Sequence, residues 1–151
     1  MDKIDDLDRK ILRIITQNAR IPFKDVADEC GVSRAAVHQR VQKMFDNHVI
    51  VGSGYHVDPK ELGYQMCAFV GLMLEKGNMY KNVVKQLEKI PNVTEVHYCL
   101  GAYSMLLRLY AKDDHDLLRL LNDQILEIPG VASTETMAVL DSSLDRELPI
   151  E

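Results

Sequence analysis

Between Cys30 and Phe45 the sequence carries no acidic residue, and into that stretch fall Arg34, His38, Gln39, Arg40, Gln42 and Lys43. Guanidinium, imidazole and carboxamide groups match the donor and acceptor edges of bases, while cationic ends suit phosphates. Arg34, His38, Gln39 and Gln42 are therefore candidates for base edges, and Arg40 and Lys43 for the phosphates of double-stranded DNA. Ala35 and Ala36 are small enough to let a helix approach a groove floor, and Ser33 stands where it can cap that helix. The whole chain argues the other way, with a formal net charge of −5 at pH 7. That charge is uneven: up to Lys60 ten basic residues face nine acidic ones, and in the remainder eight face fourteen. The basic stripe is local, and on charge alone a solvated helix face explains it more simply, so a second signal is required.

Other reactive groups are sparse. Cys30, Cys67 and Cys99 lie far apart with no Cys-x-x-Cys, which fits buried thiols in a reducing compartment rather than a disulfide frame or zinc site. His48 and His56 have no third ligand at suitable spacing, so no metal is expected. Spacing picks out no Cys/His nucleophilic pair, carboxylate pair or phosphate loop, and no cofactor is expected.

The second signal lies in the elements that must carry the stripe. Leu7, Ile11, Ile14 and Ile15 recur at helical spacing behind Asp5-Asp6, predicting a first helix over residues 6–16. Pro22 presets the first position of a second helix with Phe23, Val26, Ala27 and Cys30 on its apolar face, and Gly31 suits the positive φ that ends it. Ser33 then opens a third helix that buries Val37, Val41, Met44 and Phe45. Helices joined by so short a turn cross steeply only with a small side chain at their closest approach, which Ala27 supplies for Val37 to pack against. At about 100° per residue from Val41, the apolar set stays within about 60°, and Ala35, Gln39 and Lys43 lie at about 120° or beyond. The outer face is polar, small and basic, as a helix-turn-helix requires; a generic helical hairpin is the alternative.

Further along, Val49-Ile50-Val51 and Tyr55-His56-Val57 are strand-like on either side of Gly52-Ser53-Gly54, as a wing or an interdomain linker would be. Residues 66–96 and 104–134 then lie over each other at an offset of 38, and both read strand, helix, Ile-Pro-x-Val, strand. A repeated β-α-β unit is the split arrangement of a ferredoxin-like domain. The expected fold class is α+β: a winged helix-turn-helix domain over 1–50, a linker strand or hinge over 51–64, and a ferredoxin-like βαββαβ domain over 65–151. Its first strand places Met66, Ala68, Val70 and Leu72 on one face but Cys67, Phe69 and Met73 on the other. Water on either side would expose a large apolar patch, so the face without helices is expected to pair with a second copy.

Composition sets the outer bounds. With 151 residues, 46% hydrophobic and 27% charged, the chain is an ordinary globular sequence, and no stretch approaches the ~18 apolar residues of a membrane span. The start, MDKIDDLDRK, is acidic where a signal peptide is basic, so a cytoplasmic location without membrane contact is expected.

Motifs along nearly the whole chain resemble the Lrp/AsnC family of bacterial and archaeal transcription regulators. LDRKILRIITQNAR is similar to the family's first helix, DVADECGVSRAAVHQRVQKMFDNHVI to its DNA-binding unit, and LGAYSMLLRL and STETMAVL to its effector-binding domain. GAYS and STET are nearest its AsnC branch. The resemblance implies a sequence-specific DNA-binding regulator, built from dimers assembled four in a ring as an octamer, with a small ligand, an amino acid, held between neighbouring dimers. It places Gly101, Ala102, Tyr103 and Ser104 in the ligand loop, with Thr134 and Thr136 near it. From the residues alone, Gly101 fits either a plain hairpin turn or a loop whose free N–H groups hold a carboxylate. Many relatives carry an acid where Ser104 stands, which leaves the effector's identity open.

Two rivals share the architecture. Siroheme decarboxylases are similar and use histidines, for which His97 and His115 are the candidates here, but the lack of any spaced catalytic pair favours a protein that is not an enzyme. A ligand-binding assembly module without DNA binding is the other, and the Arg34, Arg40 and Lys43 face opposes it.

Overall fold

Asp5 and Asp8 start the first helix by satisfying each other's backbone. In the computed structural model, which describes residues 4–151, the Asp8 N–H donates to Asp5 Oδ1 at 2.9 Å and the Asp5 N–H to Asp8 Oδ2 at 3.0 Å. This capping box supplies two of the amides that a helix start leaves without partners. Helix α1 follows over Asp6–Gln17, α2 over Phe23–Cys30 and α3 over Arg34–Asp46. Pro22 is the cap of α2 and not its first helical residue, because its ψ of 139° keeps it extended. Gly31 ends α2 at φ +67°, and the Val32 N–H returns to the Ala27 carbonyl at 3.1 Å. Ser33 caps α3, its Oγ accepting from the Ala36 N–H at 3.1 Å. Ile11, Val26 and Val37 are fully buried where the helices meet, with Ala27, Val41 and Met44 beside them. Each large side chain so removed from water stabilises the unit by roughly 1.5–3 kcal/mol.

No strand forms between α3 and Met66 among the described residues, so the expected wing and linker strand are absent. Val49 and Ile50 pack half-buried against the helical core instead of pairing, Val51, Tyr55 and Val57 are all exposed, and a short isolated hairpin is marginal in water. Tyr55 instead stacks on Arg20, whose guanidinium carbon lies 4.3 Å from the ring centre.

The described residues form two compact units, one of residues up to His56 with Leu144–Glu151, the other of Val57–Ser143. The division by sequence put the whole C-terminal segment with the sheet, but Ile150 packs against the helical core and Arg9 donates to the Glu151 carbonyl at 3.1 Å. Residues 1–3 of the expected first domain lie outside the described ones.

The second unit is the duplicated one. Strands β1 (Met66–Leu74), β2 (Val93–Tyr98), β3 (Met105–Ala111) and β4 (Val131–Ala138) form one antiparallel sheet in the order β2-β3-β1-β4. Helix α4 (Tyr80–Leu87) joins β1 to β2, and α5 (Asp114–Arg119) joins β3 to β4, running on as a π-helical turn over Leu120–Ile125. The repeat is visible in the turns: Val93 N–H bonds Ile90 C=O at 3.0 Å, and Val131 N–H bonds Ile128 C=O at 3.1 Å. Val70 and Leu72 of β1, Leu107 and Leu109 of β3, and Val83, Leu87, Leu120 and Ile125 of the helical layer share the core. Helices α4 and α5 lie on one side of the sheet, so neither covers its other side. None of the helices described is long and apolar enough to cross a membrane.

Candidate nucleic-acid interface and effector loop

The turn of Gly31 to Ser33 sets where α3 begins, and the buried Val37, Val41 and Met44 set which way it rolls. Arg34, Ala35, Gln39 and Lys43 are then exposed, and Arg34, Gln39 and Lys43 make no side-chain hydrogen bond among the described residues. Their donors are free to meet a partner. His38 is also exposed but not loose: its ring stands edge-on to Phe23 of α2, 5.7 Å between centres at 86°. Gln42 donates to Asp46 at 3.0 Å, which occupies one of its two N–H bonds.

Arg40, expected on a phosphate from its charge, is drawn to α1 instead. Its Nη1 donates to Asp5 Oδ2 and, at 3.2 Å, to Asp8 Oδ1. Asp8 is 5% exposed, and a carboxylate so far out of water requires a cation. The Arg40 hydrogen bond, with the Asp8 N–H beside it, lowers the Asp5 carboxyl to about 2; the same pairing with Asp5, then Asp8, raises Arg40. Charge arithmetic missed this, though a signal was present, since Asp8 shares a helical face with the apolar Ile11 and Ile15.

In the sheet unit, Gly101 takes φ +148° and is exposed, so the turn does use glycine's freedom. Ser104 is a structural tie: its N–H donates to Leu72 C=O at 2.9 Å, and its Oγ accepts from the Leu74 N–H at 3.2 Å. Tyr103 leaves the loop and crosses the bare side of the sheet. Its ring lies over Gly71, where a Cβ would stand 2.5 Å from it, and its hydroxyl donates to Glu135 Oε2 at 2.7 Å. That bond raises the Tyr103 hydroxyl's pKa.

Thr134 and Thr136 are not brought to this loop on the same side. They pair with Leu72 and Val70, whose side chains face the helices, whereas Glu135 pairs with Gly71 on Tyr103's side. The alternation of a strand explains the difference: the residue between the two threonines is the one that meets the tyrosine. Gly71, a glycine amid the apolar β1 run, is a signal that could have pointed to a close approach at this place.

His97 and His115 do not converge. His97 pairs with Leu106 on the bare side and bonds Glu95 at 3.2 Å, while α5, which carries His115, packs on the other side through Leu117. Cys30, Cys67 and Cys99 are free thiols, each half-buried. No group of three or more metal-ligating side chains occurs among the described residues.

The arrangement has counterparts. Residues 4–44 match the model of the AsnC-type helix-turn-helix domain, and residues 67–149 that of the Lrp/AsnC ligand binding domain. The chain is 36% identical to the regulatory protein AsnC of Haemophilus influenzae over 98% of its own length and 99% of that protein's. The solved AsnC of Escherichia coli is 35% identical and superposes with a TM-score of 0.90, covering 96% of this chain and 97% of that one. A feast or famine regulatory protein from M. tuberculosis, solved in complex with L-methionine, shares the fold with a TM-score of 0.90 at 24% identity, covering 97% of this chain and 99% of that one.

Proposed function

This chain belongs to the Lrp/AsnC family, and with that as the premise we propose that it is a sequence-specific DNA-binding transcription regulator, not an enzyme, whose DNA binding or assembly responds to a small amino acid. One observation carries the DNA reading: α3 presents Gln39 and Lys43 unpaired on the side away from its core, with the small Ala35 on that side's flank and the unpaired, exposed Arg34 at its first turn. A helix so equipped lies in a major groove, with Arg34 and Gln39 on base edges and Lys43 on phosphate. His38 and Gln42 flank them, and Ser33 sets the entry angle. The region up to about residue 50 is the DNA-binding domain, residues 51–64 a hinge, and the sheet the domain for effector and assembly. The protein works in the cytoplasm, beside the DNA it binds.

Two features support the second half of the reading. The M. tuberculosis protein holds methionine, an amino acid, on the same fold. Gly101 to Ser104 offers exposed backbone beside a tyrosine and a carboxylate, a setting able to take both ends of a zwitterion. For assembly, Phe69, Leu106 and Met137 lie on the bare side of the sheet, and Arg108 Nε is buried there with no partner among the described residues. A second copy covers this side, giving a dimer from which an octamer is built.

The test is direct. Alanine at Arg34, Gln39 and Lys43 together should abolish preference for a duplex selected by the wild-type protein from a random-sequence pool. Equal binding by the triple variant would end the DNA reading. A melting-temperature screen of the twenty amino acids identifies the effector, since a ligand that binds only the native state stabilises it.

A further inference from the structure

The buried Val37, Val41 and Met44 turn one side of α3 inward, and the finer roll of the helix about its axis, on which the choice of base-facing side chains depends, is left to its flanks. From Val41, Arg40 lies about 100° to one flank, His38 about 60° to the other, and Gln39 and Lys43 within about 20° of the outer crest. Each flank is held by a different helix. His38 stands edge-on to Phe23 of α2. Arg40 is fastened to Asp5 and Asp8, the two residues whose reciprocal hydrogen bonds make the start of α1. We propose that the Arg40–Asp5–Asp8 clamp is a specificity-determining device: Arg40 touches no phosphate, and it positions α3 so that Gln39 and Arg34 meet the correct bases.

The inference rests on the reading of α3 as the groove-bound helix but assigns roles to two acids that no DNA contact would select. The geometry supports it in three ways. The capping box leaves Asp5 and Asp8 little freedom, because each is bonded at both its backbone and its side chain. Asp8 is 5% exposed, so Arg40 leaving it for a phosphate would strand a buried carboxylate. A guanidinium held by two carboxylates from one helix turn is also fixed in direction, which a lysine point charge would not be.

The two roles for Arg40 predict opposite signs. If Arg40 were a phosphate contact, neutralising Asp5 or Asp8 would free it and remove a repelling charge, and all DNA would bind more tightly. If it is a positioning residue, the same changes let α3 roll. The experiment measures dissociation constants of the full-length protein for a duplex selected from a random pool and for a scrambled duplex, across a range of salt concentrations. Asp5→Ser retains an N-cap for α1 while removing one of Arg40's two carboxylate partners, so it reads the clamp on a capped helix. Asp5→Ser, Asp8→Asn and Arg40→Ala should each lower the selected-to-scrambled ratio roughly tenfold, with the slope of affinity against salt unchanged. Arg40→Lys should recover part of the ratio. Simple loss of folded protein weakens both duplexes alike and leaves the ratio in place, so an unchanged ratio overturns the proposal. It is equally overturned if Asp5→Ser raises affinity for both duplexes, or if Arg40→Ala reduces the salt slope by about one phosphate. A wild-type protein with no preference between the duplexes would overturn the groove reading itself, and the proposal with it.

Discussion

In the helical unit Asp8, the one buried charged side chain among the described residues, finds its cation two helices away in the same unit, and the side of α3 left bare is polar. In the sheet unit Phe69, Leu106 and Met137 share the side of the sheet away from α4 and α5, where all three are still reached by water. The helices therefore finish their own surface and offer water-compatible donors to a ligand, while the sheet has a face that is stable only when something apolar covers it. On the proposed reading DNA recognition is built into one protomer, whereas effector response, placed in a loop whose tyrosine lies across the face without helices, depends on assembly. Four measurements sharpen or break this contrast.

Phe69→Glu should have the largest effect. A carboxylate forced into a covered apolar face costs ~3 kcal/mol or more, which weakens dimer affinity about a hundredfold or more. Sedimentation velocity should show monomers where the wild-type protein is assembled. A wild-type protein that is monomeric at micromolar concentration would remove the contrast altogether.

Gly101→Val should come next and act on the sheet unit alone. A β-branched residue at φ +148° is strained, so the loop must change course, although the space around it is open. Calorimetric titration with the amino acid found by melting-temperature screening should show at least roughly tenfold weaker binding. Binding of the selected duplex without effector should be retained. Loss of both would mean that the two regions are not separable.

Ser33→Ala tests the other side of the contrast. Removing this cap should cost about 1 kcal/mol, confined to the helical unit. Hydrogen exchange should quicken in peptides from α2 and α3 and stay unchanged in the sheet. The smallest effect is acid sensitivity. Asp5 is depressed in the folded state, from 3.8 to about 2, by Arg40 first and by the Asp8 N–H second. Its contribution is present above the unfolded value and is lost as pH falls from about 4 towards 2. Thermal unfolding of Asp5→Ser should accordingly match the wild-type protein near pH 2 and fall below it at pH 5; equal curves at both would show that the pair contributes nothing.

Much of this was legible in the residues, and what escaped has a physical reason. Helix periodicity, the Gly31 stop and the Ser33 cap are local effects, so the positions of α1 to α3 followed from neighbours in the chain. The repeat of Ile-Pro-x-Val located both helix-to-strand turns, because the same bond closes each. The wing failed because Val49 to Val57 has strand propensity and no partner strand, and pairing decides. The pairing of Arg40 escaped because a charge count cannot tell a cation facing solvent from one facing a buried acid 32 residues earlier. Glu135 was missed because the face of a strand residue depends on register, and the motif around the two threonines carries none. The π-helical turn at Leu120 has no signal we can identify in its sequence.

The ring of Tyr103 over Gly71 also limits how such a protein can change through descent. An alanine at 71 would meet ring atoms within 2.7 Å, so it is harmful while the tyrosine stays and harmless once position 103 has become small. Substitutions at the two positions are therefore ordered in time: the aromatic residue has to be lost before the glycine is free to vary. Lineages that keep the tyrosine inherit the glycine with it, as a single heritable unit divided between two distant points of the gene.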